Sequence, residues 1–145
     1  MEYKESEHVE HIEKYLRTID YIVRKKGREI LNDFSITVPQ FTALQILINN
    51  GNMTIGELSQ RMALACSTIT DLIDRMEKTE LVIRKKDDKD KRVVRVEVLT
   101  KGYDILEKVL EKRRVFLASK LEEFSNDDKK TLNKVLEELY KAMDE

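Results

Sequence analysis

The sequence is short of the residues that build several common kinds of functional site. Its 145 residues include four glycines, one proline, one cysteine, two histidines and no tryptophan. So few glycines disfavour the glycine-rich loops that bind nucleotide phosphates. One cysteine cannot form an internal disulfide, and a closed tetrahedral zinc site would need carboxylates or a second chain to complete its ligands. We therefore predict neither a structural metal nor a cofactor.

Long apolar runs and catalytic motifs are also missing. No stretch approaches the ~18 consecutive apolar residues of a membrane-spanning helix, and the acidic start of the chain lacks the features of a signal peptide. We therefore expect a cytoplasmic protein without a membrane partner. No Ser–His–Asp set, no H-E-x-x-H motif and no glycine-rich phosphate loop is visible, so an enzyme is not predicted.

The charge of the chain is informative only when it is divided along the sequence. The formal total of −1 does not indicate a nucleic-acid partner. Residues 1–35 carry −1, residues 36–101 carry +2 and residues 102–145 carry −2. Within the middle third, residues 82–101 hold eight basic and four acidic side chains, a net charge of +4. This segment is where we expect a polyanion to bind.

Most of the chain has the apolar periodicity of amphipathic helices. Apolar residues recur at steps of three and four over residues 9–30, which predicts a long first helix. Thr37 and Gln40 have the spacing of a capping box and open a second helix. Thr54 and Glu57 repeat that spacing, so they open a short third helix of about two turns.

Three more helices follow from the same rules. One begins near Cys66 or Ser67 and has small and polar residues on its outer face. A longer one is predicted over residues 100–124, about 35 Å at 1.5 Å per residue. The last is capped by Ser125. Its predicted inward-facing residues are Leu132, Val135, Leu136, Leu139 and Met143.

A period of two interrupts the helical pattern before the last two helices. Residues 81–85 and 93–99 are β-like runs, and the connection over residues 86–92 is charged at every position. Two short helices followed by a hairpin with a basic tip form a winged helix-turn-helix. We therefore predict a mainly α fold with a small β-hairpin, in which a winged helix-turn-helix domain is joined to a helical dimerisation region.

The first and last helices carry apolar stripes that neither helix covers alone, which favours packing in a homodimer over a self-contained core. This divides the chain into three predicted regions. Residues 1–35 form an N-terminal dimerisation helix, residues 36–101 the winged helix-turn-helix DNA-binding domain, and residues 102–145 the C-terminal dimerisation helices.

Four runs of sequence resemble the MarR family of bacterial transcription regulators. They are LSQRM at residues 58–62, STITDLIDRME at 67–77, LVIR at 81–84 and DKRVVRVEVLTKG at 90–102. The resemblance implies a homodimer that binds double-stranded DNA at a palindromic operator, acts as a repressor and is modulated by a small-molecule ligand. A winged-helix module that binds another protein or single-stranded nucleic acid is the alternative.

The resemblance also assigns roles to single residues. It implies that the fourth helix reads DNA, that Arg92 in the hairpin, or wing, reaches the minor groove, and that Asp90 stabilises the wing. The residues alone leave open a solvated hairpin tip, and Ser67 as a cap for a free amide. The candidate DNA-contacting residues are Thr54, Ser67, Thr68, Thr70, Asp71, Arg75, Lys89, Lys91 and Arg92.

Three positions differ from the usual pattern of the family. Asp71 stands where many members have a basic residue, so we expect fewer phosphate contacts or a bond from a cytosine amino group. Glu80 replaces a glycine before the first wing strand, and a non-glycine residue at positive φ costs of order 1 kcal/mol. A helix end of different construction is therefore expected there. Ala65 replaces a commoner serine cap, at a typical cost of ~1 kcal/mol.

The resemblance raises the question of an effector, because this family often binds small aromatic molecules in a crevice. The candidate pocket residues are Tyr15, Tyr21 and Phe41. An equally good interpretation makes all three ordinary core residues.

Cys66 and the two histidines are candidates for other kinds of sensing. Cys66 lies at the start of the fourth helix, where free amides favour a reactive thiolate, so a redox-responsive regulator is an alternative function. A small buried apolar residue is the favoured interpretation. His8 and His11 lie three residues apart and can ligate a metal, but exposed helix positions are favoured.

Overall fold

The computed structural model describes residues 3–144 of the chain, with the side chains of residues 7–144. Residues 1, 2 and 145, which belong to the predicted dimerisation regions, lie outside the described residues. The described part contains six helices and one antiparallel hairpin, which confirms the predicted fold class. The elements are α1 (Tyr3–Asp33), α2 (Val38–Asn50), α3 (Ile55–Met62), α4 (Cys66–Lys78), β1 (Val82–Lys86), β2 (Val94–Val98), α5 (Thr100–Lys120) and α6 (Asn126–Met143).

Helix α2 has the ends that its sequence predicts. The hydroxyl of Thr37 accepts a hydrogen bond from the Gln40 amide at 3.2 Å, and the Gln40 side chain accepts from the Thr37 amide at 3.0 Å. Pro39 lies in the first turn, where its missing N–H removes no helical hydrogen bond. Gly51 ends the helix at a φ of 89°, in the region that favours glycine.

The apolar core is built by α2, α3, α4 and the hairpin, together with the end of α1 and the start of α5. The apolar positions of α4 recur at the spacing of one buried face, and the structure confirms this for Ile69, Ile73 and Met76, which are fully buried, while Leu72 is half-buried. On β2, Val96 is buried, whereas Val94 near the hairpin tip is 40% exposed because it lies beyond the core. The fully buried large side chains are Leu44, Leu58, Ile69, Ile73, Met76, Val82, Val96 and Val109.

The chain divides into two compact units, Met1–Glu111 and Lys112–Glu145. The first holds α1 to α4, the hairpin and the start of α5. The second holds the end of α5 and α6. The three predicted functional regions are divided at other residues and stay a prediction.

Two expectations for the C-terminal helices are wrong. Helix α5 ends at Lys120, and the amide of Phe124 instead closes a turn on the carbonyl of Leu121 at 3.0 Å. The acidic pair Glu122 and Glu123 explains this early end, because negative charge is unfavourable at a helix C-terminus. On α6 none of the described residues is buried, and four of the five predicted inward-facing residues are exposed.

None of the described helices is both long and apolar enough to cross a membrane.

Candidate nucleic-acid interface

Helices α3 and α4 form the predicted helix-turn-helix. Helix α3 ends at Met62 and α4 begins at Cys66, so three residues make the turn. The first of them, Ala63, takes a left-handed conformation with a φ of 55°. Thr54 caps α3 by accepting a hydrogen bond from the Glu57 amide at 3.1 Å. Its hydroxyl therefore already has a structural role.

The N-terminal end of α4 is polar, exposed and uncapped. Ala65 is the N-cap residue and makes no side-chain capping bond, so the first amides of the helix stay open to an anion. Ser67 and Thr68 are exposed and make no side-chain hydrogen bond in the described part of the chain. The interpretation of Ser67 as a cap is therefore wrong. Thr70 donates to the carbonyl of Cys66 at 2.9 Å, which leaves its oxygen able to accept.

Three of the candidate residues on α4 share one depression with the start of α2. Thr68, Asp71 and Arg75 line it together with Thr37 and Pro39. All three α4 residues are exposed. An acceptor, a hydroxyl and a guanidinium therefore lie side by side on one surface, which is the set of groups that reads base edges and holds phosphates.

The wing is a regular hairpin whose tip is folded by two aspartates. Val82 pairs with Val98 and Lys86 with Val94. Asp87 accepts hydrogen bonds from the amides of Lys89 and Asp90, at 3.2 and 3.1 Å. The amide of Asp90 and the guanidinium of Arg95 hold the pKa of Asp87 below its usual range. The ionised carboxylate of Asp87 therefore stabilises the turn at the wing tip.

Asp90 is the second of these aspartates and binds Arg92. Its carboxylate accepts from the Arg92 amide at 3.1 Å and from the guanidinium at 3.0 and 3.1 Å. These bonds lower the pKa of Asp90 and raise that of Arg92. The Arg92 side chain is nevertheless 90% exposed, so one side of the guanidinium faces solvent.

Only some of the basic residues counted in the sequence are available to a polyanion. Lys101 donates to the carbonyl of Thr79 at 2.8 Å, at the end of α4. Lys86, Lys89 and Lys91 have no ion-pair partner in the part of the chain that the structure describes. The net charge of +4 over residues 82–101 therefore overstates the number of basic side chains that are available to bind phosphate.

Two arginines of the hairpin bind the helix-turn-helix, and the sequence reasoning missed both. Arg95 on β2 contacts Asp87 and, on α3, Glu57, each at 3.2 Å. Arg84 on β1 forms ion pairs with Asp74 at 2.7 Å and with Glu77, both on α4. Asp74 and Glu77 lie three residues apart, so they share one side of the helix. That spacing was the only local signal of the Arg84 contacts.

Comparison with known proteins agrees with this geometry. The model of the MarR family matches residues 36–94, from just before α2 to the start of β2. The uncharacterized HTH-type transcriptional regulator YsmB of Bacillus subtilis (strain 168) is 51% identical over 140 residues, which cover 97% of this chain and 96% of YsmB. The chain belongs to the MarR family. It is therefore a DNA-binding transcriptional regulator and not an enzyme.

Solved structures of other proteins have the same fold. A MarR family protein from Bacillus stearothermophilus has a TM-score of 0.87 and 46% identity, and the match covers 97% of this chain and 98% of that one. A mutant of MepR from S. aureus bound to an oligodeoxyribonucleotide has a TM-score of 0.72 at 17% identity, covering 91% and 97% of the two chains. The second likeness concerns the fold alone.

The structure does not bring the three candidate effector residues of this MarR protein together. Tyr15 and Tyr21 are 61% and 63% exposed, whereas Phe41 is 6% exposed. The interpretation as core residues is therefore confirmed for Phe41 and wrong for the two tyrosines. Tyr15 and Tyr21 are also about 120° apart around α1. The effector pocket stays a prediction.

Cys66 is exposed, so the expectation of a buried apolar residue is wrong. It is the first residue of α4 and precedes the buried stripe, which starts at Ile69. Its sulfur lies 3.3 Å from the hydroxyl of Ser59. His8 and His11 are exposed, and no group of three metal-ligating side chains occurs among the described residues. The favoured interpretation of the two histidines as exposed helix positions is confirmed, and redox sensing by Cys66 stays an untested alternative.

Proposed function

We propose that this MarR regulator is a homodimeric repressor that binds a palindromic operator in the bacterial cytoplasm and is modulated by a small-molecule ligand. One observation carries the DNA-binding part. The exposed, uncapped start of α4 and the unpaired lysines of the wing tip lie on the same compact unit. Uncapped amides and free lysines are suited to phosphate, and the exposed hydroxyls are suited to base edges.

In this proposal α4 enters the major groove and the wing reaches the adjacent minor groove. The wing contacts are Lys89, Lys91 and Arg92, and Asp90 holds Arg92 in place. The narrow minor groove of A·T-rich DNA attracts an arginine side chain. The proposed contacts of the helix-turn-helix are Thr54, Ser67, Thr68, Thr70, Asp71 and Arg75.

The homodimer is proposed because two helices expose apolar stripes. On α1, Val9, Ile12 and Ile19 are 64%, 53% and 55% exposed, and on α6 Val135 and Leu136 are 51% and 48% exposed. Contiguous apolar surface of this kind marks an interface with another protein. A two-fold dimer presents two reading helices, so its operator is palindromic, with half-sites ~34 Å apart.

The ligand part of the proposal follows from that spacing. A molecule that changes the separation of the two reading helices weakens operator binding, with a typical coupling of 1–3 kcal/mol. The exposed Tyr15 and Tyr21 of α1 are the candidate aromatic contacts for such a molecule. Operator affinity that stays constant across phenolics, oxidants and metals would instead indicate a regulator without an effector.

The operator can be tested by selecting bound duplexes from a random-sequence library. The expected product is a palindrome whose half-sites are centred about ten base pairs apart. A single unsymmetrical half-site would contradict binding by a two-fold dimer. Failure to enrich any duplex would contradict the proposed palindromic operator. A reporter gene placed behind the selected operator then distinguishes repression from activation.

The contributions of the wing and of α4 to DNA binding can be distinguished by how the affinity of variants depends on salt concentration. Lys91→Ala should weaken binding to every duplex and reduce the salt slope by roughly two counterions per dimer. Arg92→Ala should cost 1–3 kcal/mol, partly dependent on A·T-rich flanks. Thr70→Ala carries no charge, so it should change operator preference with little effect on the slope. Unchanged affinity and slope in both wing variants would exclude the wing contact.

A further inference from the structure

Arg84 is one of four basic residues of the wing that the proposed DNA contacts leave out, with Lys85, Lys86 and Arg95. Its side chain is 27% exposed, and every described hydrogen bond of its guanidinium goes to α4. One nitrogen donates to the Asp74 carboxylate at 2.7 Å and to the carbonyl of Thr70 at 3.4 Å. Another donates to Glu77. We call this set of contacts the Arg84 clamp.

The clamp includes the main chain of β1 as well as the side chain. The amide of Arg84 donates to the second carboxylate oxygen of Glu77 at 3.0 Å. One carboxylate of α4 thus binds both the backbone and the guanidinium of the same strand residue. Such two-point contacts fix orientation as well as distance, because the guanidinium is a rigid, planar fork. Burial lowers the pKa of Arg84, but its bonds to Asp74 and Glu77 outweigh this effect and raise it.

The position of the clamp links the two elements that are to meet one duplex. Helix α4 carries the proposed major-groove contacts, and β1 leads directly to the wing tip. The clamp also pairs two of the three carboxylates of α4, leaving only Asp71 without an ion pair among the described residues. An unpaired carboxylate on this helix would repel DNA phosphates.

We propose that Arg84 is a positioning residue for DNA binding. It touches α4 and not the DNA, and it holds the wing in the orientation in which the tip and α4 contact one duplex together. This inference rests on the wing contact of the proposed function. Without the clamp the hairpin keeps its backbone pairing, but the wing moves relative to α4. The wing contacts then add less to affinity.

The test is a double-mutant cycle between Arg84 and the wing tip. The affinity of the full chain for the selected duplex is measured at several salt concentrations, for Arg84→Gln with and without Lys91→Ala. Arg84→Gln alone should weaken binding about tenfold, a common size for coupled polar residues. In that background Lys91→Ala should lose most of its effect on affinity and on the salt slope. A role in stability alone would leave that effect intact.

Two variants separate orientation from charge. Arg84→Lys keeps the charge but lacks the fork, so it should resemble Arg84→Gln. Lys85→Gln removes one positive charge from the next residue of β1, on the opposite face of the strand, where the nearest carboxylate oxygen, on Glu97, is 3.9 Å away. In Lys85→Gln, Lys91→Ala should keep its full effect. Rescue by Arg84→Lys would overturn the orientation argument.

A variant that does not fold, or a Lys91→Ala effect that does not depend on Arg84, also has a defined consequence. If Arg84→Gln does not fold, Asp74→Asn replaces it, because the Asp74 side chain is 51% exposed and its loss perturbs the core little. If Lys91→Ala has the same effect in wild-type and clamp variants, the positioning role is wrong while the DNA contact stands. If Lys91→Ala has no effect in the wild-type protein, the wing contact fails and this inference fails with it.

Discussion

Glu80 occupies a backbone conformation that glycine usually fills. Its φ is 64°, between the end of α4 and the start of β1, and its amide donates to the carbonyl of Glu77 at 3.0 Å. The expectation of a helix end of different construction is therefore wrong. Glu80 adopts the same left-handed conformation that a glycine would adopt at this position. Hydrogen bonding of the turn outweighs a strain of about 1–2 kcal/mol.

Glu80→Gly should therefore stabilise the protein. Relief of the strained φ stabilises the folded state by about 1–2 kcal/mol. The greater backbone freedom of glycine stabilises the unfolded chain by up to about 1 kcal/mol, which offsets part of this effect. A net gain of a few tenths to one kcal/mol is expected in urea unfolding. Glu80→Ala is the control, since it removes the carboxylate but keeps the strain. A lower stability for Glu80→Gly than for Glu80→Ala would contradict the prediction.

Asp87 makes the wing tip sensitive to acid. The pKa of this carboxyl is lowered in the folded protein, first by the amide of Asp90 and then by Arg95. A lowered folded pKa means that the charged form stabilises the turn above the pKa of the unfolded chain. That contribution is lost as the pH falls through the lower, folded pKa.

We therefore expect the wing turn to open only in acid below the usual aspartate range. The amide signals of Lys89 and Asp90 in NMR spectra should shift together in that range and stay constant from pH 5 to pH 8. Asp87→Asn should show the opened signals at neutral pH. A transition near neutral pH would show that another group controls the turn.

At the scale of elements, α5 and the wing approach each other at a glycine. A Cβ on Gly102 would lie 2.5 Å from the carbonyl oxygen of Leu81 and 2.7 Å from a methyl of Val98. The Leu81 oxygen accepts a hydrogen bond from the Leu99 amide at 2.9 Å, so it cannot move freely. Only glycine allows this close packing of a helix on a hairpin.

Gly102→Ala should destabilise the protein by about 1–3 kcal/mol, the usual cost of overpacking. Gly27→Ala is the matched control, because Gly27 lies inside α1 and a Cβ there would have no atom within 4 Å. Alanine favours the helix, so Gly27→Ala should stabilise by up to about 1 kcal/mol. Thermal unfolding of the two variants should move in opposite directions. A neutral Gly102→Ala would contradict the close contact.

The elements that follow from local rules were predicted well. The caps at Thr37, Thr54 and Ser125 and the change of period at the hairpin all depend on neighbours within a few residues. The contacts of Arg84 and the exposure of Cys66 were not predictable, because both depend on how distant segments pack. The early end of α5 was missed because the apolar pattern continues to Phe124 although the helix does not.

The whole molecule carries more apolar surface than a single chain covers. Tyr140 and Met143 of α6 are 64% and 65% exposed, and α1 exposes a stripe of its own. Yet the part of the chain that the structure describes leaves no buried side-chain polar atom without a hydrogen bond. The core around the helix-turn-helix thus leaves no buried polar group unsatisfied, and the exposed stripes are available to the proposed partner. This supports dimerisation through the predicted terminal regions.

Leu136→Glu should convert the dimer into monomers. Leu136 is 48% exposed on one chain, and a dimer of this kind typically buries more than ~2,000 Å², so a glutamate would be buried twice, once in each subunit. Lys134→Glu is the control, because residue 134 lies about 160° from the stripe around α6. Sedimentation at micromolar concentration should show a dimer for the wild type and for Lys134→Glu. A stable wild-type monomer would exclude the dimer, and with it the palindromic operator.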